Sequence, residues 1–482
     1  MTNTVSTGID GLDAILEGGL PPGRIILIEG APGTGKTTLG MHFLTAAAAR
    51  GETALFFSFA QSREEVQMIA DSHGFDLSKV ELVSPASEEE DALERATSVE
   101  TDEAMLENLL HEVRDVLENV KPDVFVFDSL LELRLLSSSQ VAYRRNLLEL
   151  RKLLRQAGVT ALLLDHKEDH GGEGHERGIM HGVIRLSADF PPIGVIHRRL
   201  SVLKMRGARF REGFHDFRIR TGGLSIYPRV VPTESRSPGP VRLKQLRIED
   251  ETFGPMLGGG LEFGTTTLIA GQAGTGKSTL SSVFAVEAAK QGVKSALFLF
   301  EERPEIFRER SQGLGLDLSA HEDEGQVCLQ HFDPAEISPG EFSRTVIGAV
   351  KDGARLILVD SLSGYLNALP DRDNVVTHLH SLLQYLARQE CAVIATLAQK
   401  GLLDEPPVSA IDTSYISDSV ILLRQYSEEA RIRRSVAVLK KRHSQHARGI
   451  AELMIEPGRV HVKEMSPQEV QETREAGQLS RD

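Results

Sequence analysis

The sequence predicts an α/β protein with two tandem domains, each a mostly parallel sheet flanked by helices. The chain has 482 residues, which exceeds the roughly 100–200 residues of an ordinary domain. A run at 30–38, GAPGTGKTT, recurs at 271–279 as GQAGTGKST. Short apolar runs alternate with helical patterns in both halves. Strands buried on both faces and connected by helices are typical of parallel sheets, so the same fold is expected twice.

Each half begins with a glycine-rich turn, a strand, the repeated run and a helix. The turns are LEGGLPP at 16–22 and LGGGLE at 257–262. Apolar runs rich in β-branched and aromatic residues then follow in matching order. The predicted strands are 25–28, 54–59, 124–128 and 160–165 in the first half and 267–270, 296–300, 356–360 and 392–397 in the second, with helices at 142–156 and 375–389.

A segment rich in proline and serine, VPTESRSPGPV at 231–241, predicts a linker between the domains. The predicted first domain is therefore 1–230 and the second is 242–462. The last residues, 463–482, are polar and contain a proline, which predicts a loosely held tail.

Composition predicts a cytoplasmic protein without a membrane segment. The net charge of −15 disfavours a surface that gathers nucleic acid by bulk charge. The two cysteines, Cys328 and Cys391, form no CxxC pair or metal-spaced cluster, which favours a reduced compartment. No stretch approaches the roughly 18 apolar residues of a membrane span, and residues 1–10 lack the pattern of a signal peptide.

The repeated run fits the pattern G-x-x-x-x-G-K-[ST] in both halves. Glycines permit the turns that direct backbone N–H groups at phosphate oxygens, at the positive end of the following helix. The lysine supplies a charge for the outer phosphates, so both domains are predicted to bind ATP. The predicted ATP-binding residues are Gly30, Gly33, Thr34, Gly35, Lys36, Thr37 and Thr38 in the first domain, and Gly271, Gly274, Thr275, Gly276, Lys277, Ser278 and Thr279 in the second.

An aspartate that ends an apolar run accompanies each phosphate loop. Asp128 and Asp360 are both followed by Ser-Leu. A threonine or serine hydroxyl can ligate Mg²⁺ and a carboxylate can support the ion. We therefore predict Mg²⁺ at Thr37 with Asp128, and at Ser278 with Asp360. One such loop could be a chance glycine turn, but two in register with matching aspartates exclude that interpretation.

The two halves differ after their second predicted strand, where FEE at 300–302 corresponds to FAQ at 59–61. A carboxylate near the γ-phosphate can accept a proton from an attacking water or hydroxyl, whereas alanine cannot and glutamine can only position it. The predicted catalytic residues are Glu301, Glu302 and Lys277. The first domain is therefore expected to retain bound ATP and to hydrolyse it slowly. The alternative is that the glutamates merely start a helix, where acids are favoured.

Taken together, these features resemble the KaiC family of circadian-clock ATPases, over almost the whole chain. The resemblance depends on the two loops, the glutamate pair, the Asp-Ser-Leu strand ends, and the segments LKMRG at 203–207 and LKKR at 439–442. It implies tandem RecA-like P-loop domains and a homo-hexamer with ATP between neighbouring subunits. Without the resemblance, the two basic segments would be equally compatible with an exposed strand edge. The residues implied to contact ATP in trans are Lys204, Arg206, Lys440, Arg442 and His446.

The resemblance also implies that the second domain is a serine/threonine kinase acting on itself. In the family the acceptors are adjacent Ser and Thr residues shortly before an S/T-D-S/T motif, which here is SDS at 417–419. Ser414 falls on the serine position, and Tyr415 replaces the threonine. The expected acceptors are Ser414 and, to a lesser extent, Thr413. The alternative is that Ser414 is a polar turn residue.

Two other segments suggest different functions. The segment 165–181 contains four histidines, but their spacing fits no zinc template, and a partner-contacting loop is the preferred interpretation. The basic run 197–211 suits a nucleic-acid backbone, so a RecA-like nucleic-acid motor is a second hypothesis. The acidic charge and the lack of interleaved aromatic residues disfavour it, and nucleic acid is not an expected partner. A third hypothesis is a nucleotide-sensing scaffold without kinase activity, whose partner is a regulatory protein.

Overall fold

The computed structural model describes residues 4–59, 61–84, 102–166, 175–191, 194–234, 244–367, 372–399, 416–428 and 431–466. The chain divides into two compact units, Met1–Arg229 and Val230–Asp482, and each contains a nine-stranded sheet. Both sheets are mostly parallel and flanked by helices, which confirms the predicted fold class. Within the described ranges, no helix combines the length and the apolar character needed to cross a membrane.

The first unit alternates strands and helices and ends in antiparallel strands. Its elements are α1 (Asp10–Ile15), β1 (Ile25–Gly30), α2 (Lys36–Ala49), β2 (Ala54–Ser58), α3 (Arg63–His73), β3 (Val80–Val83), α4 (Asp102–Val120), β4 (Val124–Asp128), α5 (Leu130–Leu135), α6 (Gln140–Ala157), β5 (Thr160–His166), α7 (His175–Ile179), β6 (Gly182–Asp189), β7 (His197–Met205), β8 (His215–Arg220) and β9 (Gly223–Tyr227).

The second unit repeats this plan after a small two-stranded sheet. Its elements are β10 (Gln245–Arg247), α8 (Phe253–Met256), β11 (Gly260–Glu262), β12 (Thr266–Gly271), α9 (Lys277–Lys290), β13 (Ser295–Leu299), α10 (Pro304–Gly313), α11 (Leu318–Asp323), β14 (Val327–His331), α12 (Pro339–Lys351), β15 (Leu356–Asp360), α13 (Leu362–Asn367), α14 (Arg372–Arg388), β16 (Ala392–Ala398), β17 (Ser419–Glu428), β18 (Arg431–Lys441), β19 (Ile450–Glu456) and β20 (Arg459–Glu464).

The strand order is the same in both sheets. It runs β3-β2-β4-β5-β1-β6-β7-β8-β9 in the first unit and β14-β13-β15-β16-β12-β17-β18-β19-β20 in the second. Parallel pairing extends as far as β6 and β17, and the strands beyond pair antiparallel. The carboxyl ends of parallel strands meet at one edge of a sheet, so the loop after β1 lies near the end of β4, and the loop after β12 lies near the end of β15.

The central strands are apolar because helices cover both faces of the sheet. All six residues of β1 are buried, and the side chains of its first four residues alternate between two clusters. Ile26 and Ile28 pack on one face, and Ile25 and Leu27 pack on the other. This double burial explains why continuous apolar runs, rather than alternating ones, predicted the strands.

Candidate nucleotide sites

The first phosphate loop joins the buried strand β1 to α2. Gly35 precedes α2 with φ 100°, a left-handed conformation that favours glycine. The Lys36 ammonium donates to the carbonyls of Gly30 at 2.8 Å and Ala31 at 2.9 Å. Burial lowers the pKa of Lys36 to about 8, and the charges of Asp128 and Asp165 oppose the shift. The lysine is therefore held inside the loop, with its charge partly destabilised.

The second loop has the same geometry. Gly276 precedes α9 with φ 97°, and Lys277 Nζ donates to the carbonyl of Gln272 at 2.7 Å. Burial lowers the pKa of Lys277, while Asp360 and Glu301 oppose the shift. In both units the loop N–H groups stand at the start of a fourteen-residue helix, an arrangement that binds phosphate.

In each unit a hydroxyl from the first turn of the helix after the loop contacts the aspartate that ends β4 or β15. Thr37 Oγ1 donates to Asp128 Oδ2 at 2.6 Å, and burial raises the pKa of Asp128 against the opposing effects of Thr37 and Lys36. Burial likewise raises the pKa of Asp360, opposed by hydrogen bonds from Ser278 and Thr396.

These oxygen donors fit Mg²⁺, which uses one or two carboxylates together with water and substrate phosphates. Among the residues that the structure describes, no group of three or more His, Cys, Asp or Glu side chains could hold a metal without a nucleotide. The two hydroxyl–carboxylate pairs therefore suit an ion that arrives with its phosphate ligand.

The predicted glutamate pair separates into two environments. Glu301 is exposed, and one of its carboxylate oxygens accepts a hydrogen bond from the Ser361 hydroxyl. Glu302 forms two bonds with Arg310, from Nε to Oε1 at 3.2 Å and from Nη2 to Oε2 at 2.9 Å. Arg310 Nη1 also donates to Thr279 Oγ1 at 3.1 Å. Glu301 can therefore face a substrate. Glu302 instead orients Arg310 of α10 toward Thr279 in the first turn of α9. Arg310 was not predicted, since nothing in its local sequence indicates this contact.

At the corresponding point of the first unit, Ala60 lies outside the described residues. Gln61 donates its backbone N–H to Ser58 Oγ at 3.2 Å. Its side-chain oxygen Oε1 is buried without a hydrogen-bond partner among the described atoms. This amide offers no proton acceptor comparable to Glu301.

The first unit also contains acids inside its central strands, which sequence reasoning missed. Glu29 in β1, 2% exposed, contacts Arg177 and Arg185, each at 2.8 Å. Asp165 in β5, 1% exposed, contacts Arg134 at 2.8 Å. The signal was an acid within an otherwise apolar strand, because a buried carboxylate requires a paired cation.

The basic residues expected to act in trans lie at or just beyond the ends of β7 and β18. Lys204 Nζ donates to the Arg177 carbonyl, and Arg206 Nη2 donates to the Gly178 carbonyl at 3.0 Å. Burial lowers the pKa of Lys204, and the charges of Arg206 and Arg151 lower it further. Arg206 is exposed.

The matching residues of the second unit occupy similar positions. Lys440 Nζ donates to the Ser417 carbonyl at 2.8 Å, and exposed Arg442 lies 3.7 Å from Asp418 Oδ1. His446 is half-buried beyond the end of β18. Contact of these side chains with a neighbour's ATP stays a prediction.

The expected phosphate acceptors Thr413 and Ser414 lie outside the described residues. The aspartate of the SDS motif, Asp418, is described: its Oδ2 accepts from the Thr266 N–H at 3.0 Å. Asp418 therefore ties the start of β17 to β12, and its role in the fold is structural.

A parallel sheet whose central strand leads through a GxxxxGK[ST] loop into a helix, with an aspartate ending a nearby strand, defines a P-loop ATPase of the RecA type. This chain contains that arrangement twice. It belongs to the KaiC family, because the family model described as "ATPase: KaiC" matches residues 5–231 and again 248–466.

Relatives of similar length support this assignment. The chain is 26% identical over 478 residues to the "Circadian clock protein KaiC3" of Synechocystis sp. (strain ATCC 27184 / PCC 6803 / Kazusa), covering 95% of this chain and 91% of that protein. It is also 26% identical over 465 residues to the "Circadian clock oscillator protein KaiC" of Parasynechococcus marenigrum (strain WH8102), covering 93% and 88% respectively. The resemblance inferred from the motifs is thus confirmed.

Proposed function

We propose that this KaiC-family ATPase forms a homo-hexameric, nucleotide-driven signalling ring that hydrolyses Mg-ATP and phosphorylates its own second domain at Ser414, with Thr413 as a lesser acceptor. The observation that carries the proposal is the exposed carboxylate of Glu301. It lies close enough to Lys277 and Asp360 to act on the pKa of both. A proton acceptor therefore accompanies the phosphate-binding charge of the second loop.

For hydrolysis, Glu301 accepts a proton from a water molecule whose oxygen attacks the γ-phosphorus. The bond from that phosphorus to the bridging oxygen breaks, and its electron pair stays with ADP. Lys277 offsets the negative charge of the phosphates. Ser278 and Asp360 would hold a Mg²⁺ ion, which would neutralise further phosphate charge. General-base catalysis of this kind contributes typically about 10²–10⁴-fold.

For phosphate transfer, the same carboxylate accepts the hydroxyl proton of Ser414, and the serine oxygen takes the place of water. The phosphoryl group then ends on the serine, and ADP leaves. The position of Ser414 ahead of the SDS motif supports this acceptor. Two relatives of this chain are named circadian clock proteins, and a regulatory protein is the partner proposed for the ring.

Ring assembly is proposed from the basic strand ends. Arg206 and Arg442 are exposed, and each lies beyond a strand that borders the parallel part of its sheet. Guanidinium groups in such positions suit the phosphates of a nucleotide on an adjacent subunit. Light scattering in the presence of Mg-ATP should give the mass of six chains, and a persistent monomer at saturating ATP would contradict ring assembly. The two free cysteines support a cytoplasmic setting for the ring.

The deciding experiment for the kinase is mass spectrometry of the chain after incubation with Mg-ATP. Phosphate is expected on Ser414 and is expected to disappear in Glu301→Gln. Arg442→Ala tests the trans contact, since it should reduce phosphorylation without removing Glu301. Hydrolysis without phosphate on 413–419 would leave an ATPase and exclude the kinase.

A further inference from the structure

The serine that follows the sheet aspartate has a carboxylate partner in both units. In the second unit the Ser361 hydroxyl donates to Glu301, which comes from the end of β13. In the first unit the Ser129 hydroxyl donates to Glu132 Oε2 at 2.8 Å. Both serines directly follow the aspartate and precede a short helix, α5 or α13. The two carboxylates therefore bind equivalent hydroxyls, although they come from different elements.

Glu132 and Gly364 are equivalent positions, each three residues after the serine. In the second unit a Cβ on Gly364 would lie 3.3 Å from Glu301 Cγ and 3.4 Å from its Oε1. The side chain of Glu301 thus packs beside Gly364, in the space that a side chain at position 364 would need. In the first unit position 132 carries the carboxylate itself, and the position that corresponds to 301 is Ala60. The acid thus stands at different positions in the two units, and in each unit it accepts from the equivalent serine hydroxyl.

The charges around the two carboxylates correspond as well. Burial raises the pKa of Asp128, and the charge of Glu132 adds to this shift, as Glu301 does for Asp360. Burial lowers the pKa of His166 at the end of β5; the charge of Lys36 lowers it further, and Glu132 opposes the shift. Glu132 therefore lies at the edge of the sheet where the phosphate loop and the metal-supporting aspartate meet.

A helix-capping role alone does not account for this contact. Serine at an N-cap with glutamate three residues later is the pattern of a capping box, in which the glutamate accepts from the backbone N–H of the serine. Glu65 does this at α3, where it accepts from the Ser62 N–H at 2.9 Å. Glu132 instead accepts from the Ser129 hydroxyl. Its contact matches that of Glu301 rather than that of Glu65.

We propose that Glu132 is the catalytic carboxylate of the first nucleotide site and takes the role that Glu301 has in the second. The proposal rests on the proposed function, since ATP must bind at the first loop. Glu132 accepts a proton from the water that attacks the γ-phosphorus; the bond to the bridging oxygen breaks, its electrons stay with ADP, and the proton is released to solvent. The first domain then cleaves ATP, contrary to the expectation from Ala60.

The test uses the full chain carrying Lys277→Ala, so that the first site supplies the remaining turnover. Adding Glu132→Gln keeps an oxygen that can accept from Ser129 but removes the proton acceptor. We expect kcat to fall by about 10²-fold or more, with KM and the melting temperature unchanged. Glu65→Gln is the matched control, because it alters a glutamate that contacts the backbone N–H of Ser62 in a capping box, and kcat should not change.

A further test moves the carboxylate of the first unit to position 60, which corresponds to Glu301 of the second unit. Ala60→Glu combined with Glu132→Gly should restore turnover that Glu132→Gly alone removes. Retention of kcat within about threefold in Glu132→Gln would overturn the proposal, as would a Lys277→Ala chain without turnover when the wild-type chain is active. A wild-type chain without any ATP hydrolysis would instead refute the proposed function itself, and the assignment of Glu132 with it.

Discussion

The two nucleotide sites share a backbone and differ in where their charges lie. Asp165 and Arg134 form an ion pair in the first unit, and the equivalent residues of the second unit are Leu397 and Leu366, both buried. Similarly, Glu29 in β1 corresponds to Ala270 in β12. The phosphate loop depends on backbone conformation, so it is the same in both units although these side chains are charged in one and apolar in the other. A repeated fold therefore does not require a repeated set of reacting groups.

The largest expected effect separates the two glutamates of the second site. In a chain carrying Lys36→Ala, which disables the first loop, Glu301→Gln should lower kcat by about 10²–10⁴-fold because the proton acceptor is lost. Glu302→Gln should lower it by about tenfold or less, since Glu302 acts through Arg310. Steady-state phosphate release measures both. Equal losses would mean that the two acids act as one unit.

Next comes the ion pair of the first unit. Arg134→Leu should destabilise that unit by about 2–3 kcal/mol, because it leaves the buried Asp165 carboxylate without its strongest partner. We place the effect below that of a fully buried pair because Arg134 is 33% exposed. Urea unfolding followed by hydrogen exchange in 4–229 measures it.

The double variant Arg134→Leu/Asp165→Leu copies the pair of leucines in the second unit and should recover most of the loss. Arg50→Ala is the control: Arg50 is as exposed as Arg134, but its partner Glu52 is 31% exposed, so loss of this ion pair should cost under about 1 kcal/mol. If the double variant were no more stable than Arg134→Leu, the two units would not tolerate each other's packing at these positions.

A smaller effect should appear with pH at the first loop. The pKa of Lys36 is about 8, below its usual 10.5, so the ammonium loses its proton in the folded chain before it does in the unfolded chain. Below pH 8 burial of the charged lysine lowers stability. This penalty is relieved between pH 8 and 10.5, since the unfolded chain binds more protons there.

ATP favours the charged lysine, so affinity at the first site should fall above pH 8, by up to about tenfold per pH unit. Titration of a fluorescent ATP analogue into Lys277→Ala chains measures the affinity. Lys36→Arg should bind without this decline, because guanidinium stays protonated. A decline of the same size in Lys36→Arg would assign the pH dependence to another group.

The smallest expected effect concerns Gly364. Gly364→Ala places a Cβ about 3.3 Å from Glu301 Cγ and should shift that side chain by a few tenths of an ångström. Second-site kcat should then fall by about two- to fivefold, since misplacement by about 1 Å costs 10²-fold. Gly348→Ala in α12 is the control, because its Cβ would have no neighbour within 4 Å. An unchanged kcat in Gly364→Ala would show that Glu301 can move without loss.

The sequence predicted the parallel strands because residues such as Ile25 and Ile26 are buried on opposite faces and form unbroken apolar runs. It did not predict the antiparallel extensions, beyond allowing a strand edge at the basic segments 203–207 and 439–442. In β18, for example, Arg431 and Arg434 alternate irregularly with apolar residues, and the strand is partly exposed. Such strands are specified by pairing with neighbours rather than by their own composition.

The loops were predicted because phosphate binding imposes fixed spacing within a short segment. The aspartates were predicted because each ends an apolar run and precedes Ser-Leu. Arg310 and Glu132 were missed for the opposite reason. Arg310 meets Thr279 from a different helix, and Glu132 has the sequence pattern of a helix cap. Only tertiary packing distinguishes these roles.

The crowding at Gly364 also limits how such a site can change over generations. A glutamate at 301 and a side chain at 364 compete for one space, and the first unit offers the opposite combination, with alanine at 60 and glutamate at 132. A lineage that moves the acid by single substitutions must pass through a crowded site or through a site without an acid. Each arrangement therefore disfavours a single step toward the other, and an engineer who exchanges them should alter both positions together.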